Sequence, residues 1–173
     1  MFLLNSLRVN FRWPNSAHKK DLDKLNISEN VIVKGSNYEW WNASLDKELL
    51  ESLFQYQDET PTIFIRDQFA VHKMRWAAEF LEDKNVKQLF VPAGRTVQFQ
   101  PLDTLVNHVF KTLMAEKYHK WQMEDVHGVT RTGNMQNPTK QNFVDWISQS
   151  WAEISAELIK RSFQVACWQY VTD

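Results

Sequence analysis

Short apolar segments alternate with segments of helical periodicity along the middle of the chain. "NVIVKG", "TIFIR" and "KQLFVP" have the composition of short buried strands. Between them, "SLDKELLESLFQY" and "VHKMRWAAEFLED" repeat apolar residues at helical spacing, and Ser44 is the predicted N-cap of the first helix. Strands that alternate with helices form a mainly parallel sheet covered by helices. The pattern therefore predicts an α/β fold.

The spacing of apolar residues predicts which side of each helix faces the core. The predicted core positions of the first two helices are Leu45, Leu49, Leu53, Tyr56, Val71, Met74, Ala78 and Leu81. A long helical segment begins at Leu102, and the tail from residue 140 to 168 is also helical. Four tryptophans fall at helical spacing among apolar residues and are predicted to lie in the core: Trp76, Trp146, Trp151 and Trp168.

Composition limits the class of protein. The chain has 173 residues, of which 43% are hydrophobic, so it is long enough for one domain with a sizeable core. A formal charge of −1 gives no chain-wide basic signature, so a nucleic-acid surface would have to be local. The single Cys167 cannot form an internal disulfide, which favours a reducing intracellular compartment. The sequence has no apolar run long enough to span a bilayer, so no membrane partner is predicted.

Two aspartates follow predicted strands. Asp67 comes directly after "TIFIR", and Asp103 follows the turn after "KQLFVP", 36 positions later. Ligands of open parallel sheets gather at the carboxyl ends of the strands, and carboxylates there suit Mg²⁺-assisted phosphoryl chemistry. Each acid also has a purely structural interpretation as a residue near a helix N-terminus. Asp67 could equally be a phospho-acceptor of a receiver-like domain, and His72, one turn later, could be structural.

The segment from 62 to 121, "TIFIRDQFAVHKMRWAAEFLEDKNVKQLFVPAGRTVQFQPLDTLVNHVFKTLMAEKYHKW", resembles the second half of the catalytic domain of pogo-type transposases. This group includes the Tigger and Jerky-like proteins and belongs to the DDE superfamily endonucleases. The landmarks are the strand ending in Asp67 followed by His72, the "VPAGRTVQFQPLD" turn and "VNHVFK". The tail "TRTGNMQNPTKQNFVDWISQSWAEISAELIKRSFQVAC" also resembles the family, so the similarity runs from about residue 31 to 168.

The resemblance implies an RNase H-like (integrase-type) core in which three acids bind two divalent ions, Mg²⁺ or Mn²⁺, to cleave and join DNA. Asp67 then matches the second acid and Asp103 the third, with His72 and Arg66 as accessory residues. Arg66 could contact phosphate or neutralise a carboxylate whose metal is lost.

DNA is the implied partner, with Lys111, Lys117 and Lys120 as candidate contacts to its backbone. The nucleus is the implied location, and no small-molecule cofactor is expected.

The first catalytic acid of the family is not recognisable in this sequence. Asp21 and Asp23 lie in "HKKDLDKLN", which has no strand pattern, so the chain is interpreted as truncated at its amino end. The open edge left in the sheet could be filled by "FLLNSLRVNF". The predicted division is a poorly assigned segment 1–30, a partial catalytic core 31–126, and a linker with a helical tail packed on the core, 127–173.

Two function hypotheses follow. The chain is either the impaired catalytic core of a metal-dependent endonuclease, or a domesticated, non-catalytic module that binds DNA or proteins and could self-associate.

Overall fold

The computed structural model describes residues 7–12, 22–36, 41–57, 60–124 and 127–167. The strands in these residues are β1 (Leu7–Arg12), β2 (Val31–Ser36), β3 (Thr62–Arg66) and β4 (Val86–Phe90). The α-helices are α1 (Ala43–Phe54), α2 (Arg75–Asp83), α3 (Thr96–Phe99), α4 (Asn107–Met123), α5 (Lys140–Ala152) and α6 (Ala156–Cys167). A 3-10 turn spans Ala70–Lys73 and a π-helical segment spans Leu102–Val106. The predictions for Asp21 and Trp168 lie outside the described residues.

The described residues group into two compact units, each with its own two-stranded sheet. The first unit contains residues 41–57, 60–106 and 157–167, and the second contains 7–12, 22–36, 107–124 and 127–156. In the first unit β3 pairs with β4, and in the second β1 pairs with β2; both pairs are parallel. This mixture of helices and parallel strands is compatible with the predicted α/β class. The RNase H-like arrangement and the predicted segment boundaries remain predictions.

The core of the first unit forms where α1 and α2 pack beside β3 and β4. It consists of the buried residues Leu50, Phe54, Ala77, Leu81 and Val86. The ring of Phe54 meets that of Phe64 edge-on at 5.3 Å, a favoured aromatic geometry. Full burial of each leucine contributes about 1.5 to 3 kcal/mol. Because α2 connects two parallel strands, this core fixes the positions of the carboxyl ends of β3 and β4.

Helix α1 begins two residues earlier than predicted. Its N-cap is Asn42, whose side chain accepts hydrogen bonds from the amides of Ser44 and Leu45. The prediction of Ser44 as the cap was therefore wrong. Leu45 is buried and Leu53 packs against the core cluster, as predicted. The buried side also includes Leu50 and Phe54, whereas Tyr56 lies beyond the helix and is 90% exposed.

Met74 interrupts the predicted second helix. Its φ of −63° and ψ of 140° are extended, so the chain forms the 3-10 turn Ala70–Lys73 before α2 begins at Arg75. Met74 is exposed, and Ala77 replaces the predicted Ala78 as the buried position one turn before Leu81. Trp76 packs against the core cluster, as predicted.

The second unit has a separate aromatic core between α4 and α5. Trp146 and Trp151 are both buried, which confirms the prediction for these two tryptophans. Trp146 meets Tyr118 and Trp121 of α4 edge-on, at ring distances of 6.2 and 6.1 Å. Helix α5 begins with a capping box in which Thr139 and Asn142 bind each other's backbone amides. The predicted helical tail is therefore present, but it is divided into α5 and α6 by residues 153–155.

Among the residues that the structure describes, no helix has the length and apolar character required to cross a membrane.

Candidate functional site

The carboxyl ends of β3 and β4 lie side by side. The register pairs Arg66 with Phe90, and the amide of Val91 donates to the carbonyl of Arg66 at 2.8 Å. Asp67 therefore stands immediately beyond a paired strand end, as the sequence predicts. This is the edge of a parallel sheet at which ligands bind in open α/β folds.

Asp67 is partly exposed and is held through one carboxylate oxygen. Its Oδ1 accepts a hydrogen bond from the amide of Phe69 at 3.1 Å. The same atom lies 2.7 Å from His72 Nδ1, a close polar contact without the alignment of a hydrogen bond. The 3-10 turn that carries His72 thus folds back over the strand end, and the structure brings the predicted pair Asp67 and His72 together.

The side chain of Arg66 points away from solvent and is only 3% exposed. Its guanidinium forms a buried ion pair with the carboxylate of Asp46 and lies 5.1 Å from the centre of the Phe64 ring. Nη1 also donates to Gln88 Oε1 at 3.4 Å. Burial lowers the pKa of Arg66, and the neighbouring Asp46 charge opposes that shift. The buried guanidinium compensates a carboxylate, which is the second of the two predicted roles, but the carboxylate belongs to Asp46.

Asp46 was not predicted as a site residue, and it is fully buried in the first turn of α1. Besides Arg66, its Oδ1 accepts a hydrogen bond from Trp41 Nε1 at 3.0 Å and lies 3.6 Å from His72 Nε2. Its Oδ2 is buried without a hydrogen-bond partner. One sequence signal existed: Asp46 is spaced four residues before Leu50 on the apolar side of the helix, where an acid needs compensation.

Asp103 lies in a distorted helix that follows β4 along the chain. The chain leaves β4 through a turn at Gly94, where φ is +74°, and passes the single turn α3. Asp103 is half-buried in the π-helical segment, and its amide donates to the carbonyl of Gln100 at 3.0 Å. The segment packs against α3. π-Helical turns are rare and are frequently found at functional sites.

The described residues on their own do not complete a divalent-metal site. Asp67 and Asp103 belong to the same unit and carry the oxygen ligands that Mg²⁺ and Mn²⁺ prefer. However, no group of three or more histidine, cysteine or acidic residues in the described part of the chain is arranged to hold a metal ion. Asp46 is instead buried and paired with Arg66.

The three candidate lysines lie on α4 but do not share one face. Lys111 and Lys120 are nine residues apart, about two and a half helical turns, so they point to opposite sides. Both are exposed. Lys117 Nζ lies 2.6 Å from Glu153 Oε1 in an ion pair and is largely covered.

A model of the family described as DDE superfamily endonuclease matches residues 12–163. The chain belongs to this family. The resemblance stated from the sequence is thereby confirmed. Enzymes of the DDE family generally use divalent metal ions.

Two relatives of this DDE chain are both named pogo transposable element with KRAB domain, one from Mus musculus and one from Homo sapiens. Each is 24% identical over 136 residues, which cover 76% of this chain. The chain spans 22% of the length of either relative. No solved structure matches the chain.

Proposed function

We propose that this chain is the part of a pogo-type DDE endonuclease core, with an RNase H-like architecture, that contributes the second and third acidic residues. Asp67 and Asp103 would provide carboxylate ligands for Mg²⁺ or Mn²⁺, and DNA would be the substrate. The nucleus is the corresponding location. The observation that carries the proposal is the position of Asp67 directly beyond β3, beside the end of β4, in a chain of this family.

The catalytic activity of this chain alone is proposed to be impaired. A two-metal site must fix both the attacking and the leaving oxygen, and loss of one ligand misplaces the nucleophile. The described residues supply no third ligand beside Asp67 and Asp103. A third ligand would have to come from outside them.

Metal binding is tested by titrating Mn²⁺ into the ¹⁵N-labelled chain. We expect paramagnetic broadening centred on the amides of Phe69 and Asp103, with weak affinity, and loss of that broadening in Asp67→Asn. Asp83→Asn is the control, because Asp83 is an exposed acid in the same unit that contacts only its neighbour Lys84 in the described ion pairs. Broadening that is the same in Asp67→Asn as in the wild type would refute the metal role.

Catalysis is tested by incubating supercoiled plasmid with the chain and Mg²⁺ or Mn²⁺. We expect no metal-dependent nicking above that seen with the Asp67→Asn variant. Metal-dependent nicking that disappears in Asp67→Asn would show an active enzyme and would overturn the proposed impairment.

DNA contact is proposed to run through either Lys111 or Lys120, since each lies on its own side of α4. A lysine that contacts phosphate weakens binding about equally for all sequences and lowers the salt dependence by about one counterion when it is removed. Fluorescence anisotropy with Lys111→Ala and Lys120→Ala distinguishes the two sides. If both variants bind DNA with the affinity and the salt dependence of the wild type, the contact is excluded.

A second candidate function is a non-catalytic module that self-associates. It is favoured by the outer face of β3 and β4, where Ile63 is 64% and Leu89 is 49% exposed. Parallel sheets are normally covered on both faces. Sedimentation velocity is expected to show concentration-dependent dimers that Leu89→Lys weakens and Val97→Lys does not, because Val97 is exposed in the same unit but outside the sheet.

A further inference from the structure

We propose that Asp46 is a positioning residue that holds the Asp67 carboxylate in place through Arg66 and His72. The inference rests on the proposed metal-binding role of Asp67. It assigns a role to a buried acid on α1, a helix that contains neither candidate metal ligand.

Two donors, on Arg66 and Trp41, and the ring of His72 converge on a single oxygen of Asp46. Oδ1 pairs with the Arg66 guanidinium, accepts a hydrogen bond from Trp41 Nε1 at 3.0 Å, and lies 3.6 Å from His72 Nε2. The carboxylate is fully buried, so these charge interactions are little screened by solvent. The Asp46 carboxylate, in the first turn of α1, thus fixes the positions of the three side chains around it.

Two of these partners lead directly to Asp67. Arg66 precedes it in the chain, so anchoring the guanidinium fixes the last residue of β3, from which the Asp67 backbone starts. His72 places its second ring nitrogen, Nδ1, 2.7 Å from Asp67 Oδ1. Asp46 therefore constrains Asp67 from the backbone side and from the side-chain side. Partners of this kind behind a metal ligand typically change metal affinity by about 10- to 100-fold when mutated.

The arrangement is poorly explained as a device for stability alone. A buried ion pair is seldom more stabilising than two apolar side chains of similar volume. Here one oxygen, Oδ2, is also left buried without a hydrogen-bond partner, which opposes folding. A positioning role accounts for both the buried ion pair and the unpartnered Oδ2. Holding His72 and the end of β3 in place requires a charge at this position, and Oδ1 alone makes the contacts that do so.

The first experiment compares the full chain with Asp46→Asn, an isosteric change that removes the charge, at one fixed pH. Glu51→Gln is the matched control, since Glu51 is an exposed acid on the same helix that pairs only loosely with Lys47. In Asp46→Asn we expect the His72 ring resonances and the Phe69 amide resonance to shift, and the Mn²⁺ affinity read at Phe69 to fall by about 10- to 100-fold. Unchanged resonances in Asp46→Asn would overturn the proposal.

A double-mutant cycle separates positioning from general structural support. If Asp46 acts through His72, Asp46→Asn has a much smaller effect on Mn²⁺ affinity in a His72→Ala background than in the wild type. An effect of equal size in both backgrounds would contradict the route through His72. His72→Asn, which keeps a polar group near the Nδ1 position, is expected to retain more Mn²⁺ affinity than His72→Ala.

The failure of this inference is distinguishable from failure of the proposed function. Mn²⁺ broadening that is insensitive to Asp67→Asn refutes the proposed metal site, whereas broadening that requires Asp67 but is insensitive to Asp46→Asn refutes only the positioning role.

If Asp46→Asn does not fold, the double variant Asp46→Leu with Arg66→Met replaces the pair by apolar side chains. A folded double variant with weakened Mn²⁺ affinity supports the proposal, and one with wild-type affinity refutes it.

Discussion

The guanidinium of Arg66 is buried against the carboxylate of Asp46, at the strand residue directly before Asp67. Both charges are withdrawn from solvent, so the Arg66 guanidinium is not available to a phosphate group, and each charge depends on the other for compensation.

Removal of one member of this pair is expected to be strongly destabilising. Arg66→Met leaves the Asp46 charge buried without its partner, which costs about 3 to 5 kcal/mol in the free energy of unfolding. Arg75→Met is the control: it breaks the exposed pair between Arg75 Nε and Glu79 Oε1, at 2.7 Å, and should change the stability by less than about 1 kcal/mol. Urea unfolding measures both variants. A loss below about 1 kcal/mol for Arg66→Met would show that solvent reaches Asp46.

The N-cap of α1 gives a prediction that separates the structure from the sequence pattern. Asn42→Ala removes the acceptor of the Ser44 and Leu45 amides and should destabilise the chain by about 1 kcal/mol. Ser44→Ala should have little effect, because that residue lies inside the helix. Thermal unfolding followed by circular dichroism compares them. If Ser44→Ala lost more stability than Asn42→Ala, the N-cap would be Ser44 and not Asn42.

The covered and open faces of the first unit predict opposite results for two leucines. Leu81 is fully buried in the core cluster, so Leu81→Ala should cost about 2 to 5 kcal/mol. Leu89 is exposed on the outer face, so Leu89→Ala should stay within about 0.5 kcal/mol. Chemical denaturation at low protein concentration checks both. Equal losses would mean that the outer face is covered.

Lys117 is expected to differ from its two neighbours on α4. Its ion pair with Glu153 connects α4 to the end of α5, so Lys117→Ala should lower the stability by up to about 1 kcal/mol. Its effect on DNA affinity should be smaller than that of Lys111→Ala or Lys120→Ala, whichever contacts DNA. A dominant loss of DNA affinity in Lys117→Ala would require the ion pair to open on binding.

The sequence was sufficient to place β3 and β4, because each is a short apolar run bounded by turn residues. It was also sufficient to place Asp67 at a strand end. It missed two buried residues of α1, Leu50 and Phe54, although Leu45 is buried as predicted and Leu53 packs against the core cluster. The side of a helix that is buried depends on the surface it packs against, here Ala77, Leu81 and Val86.

The connection between Asp46 and Arg66 could not be predicted from the sequence either. The two residues are 20 positions apart and on different elements. Local patterns describe neighbours along the chain, whereas this pair depends on how α1 is placed against β3. The same applies to Met74, whose extended backbone divides a segment with good helical spacing.

The π-helical segment Leu102–Val106 has a consequence for how this part of the protein tolerates changes of length. A π turn accommodates one residue more than an α turn, so deleting a single residue within it would restore regular α geometry. Asp103 lies within this segment, so the deletion would turn its side chain by about 100° about the helix axis. Insertions and deletions at this point would thus redirect one acidic side chain.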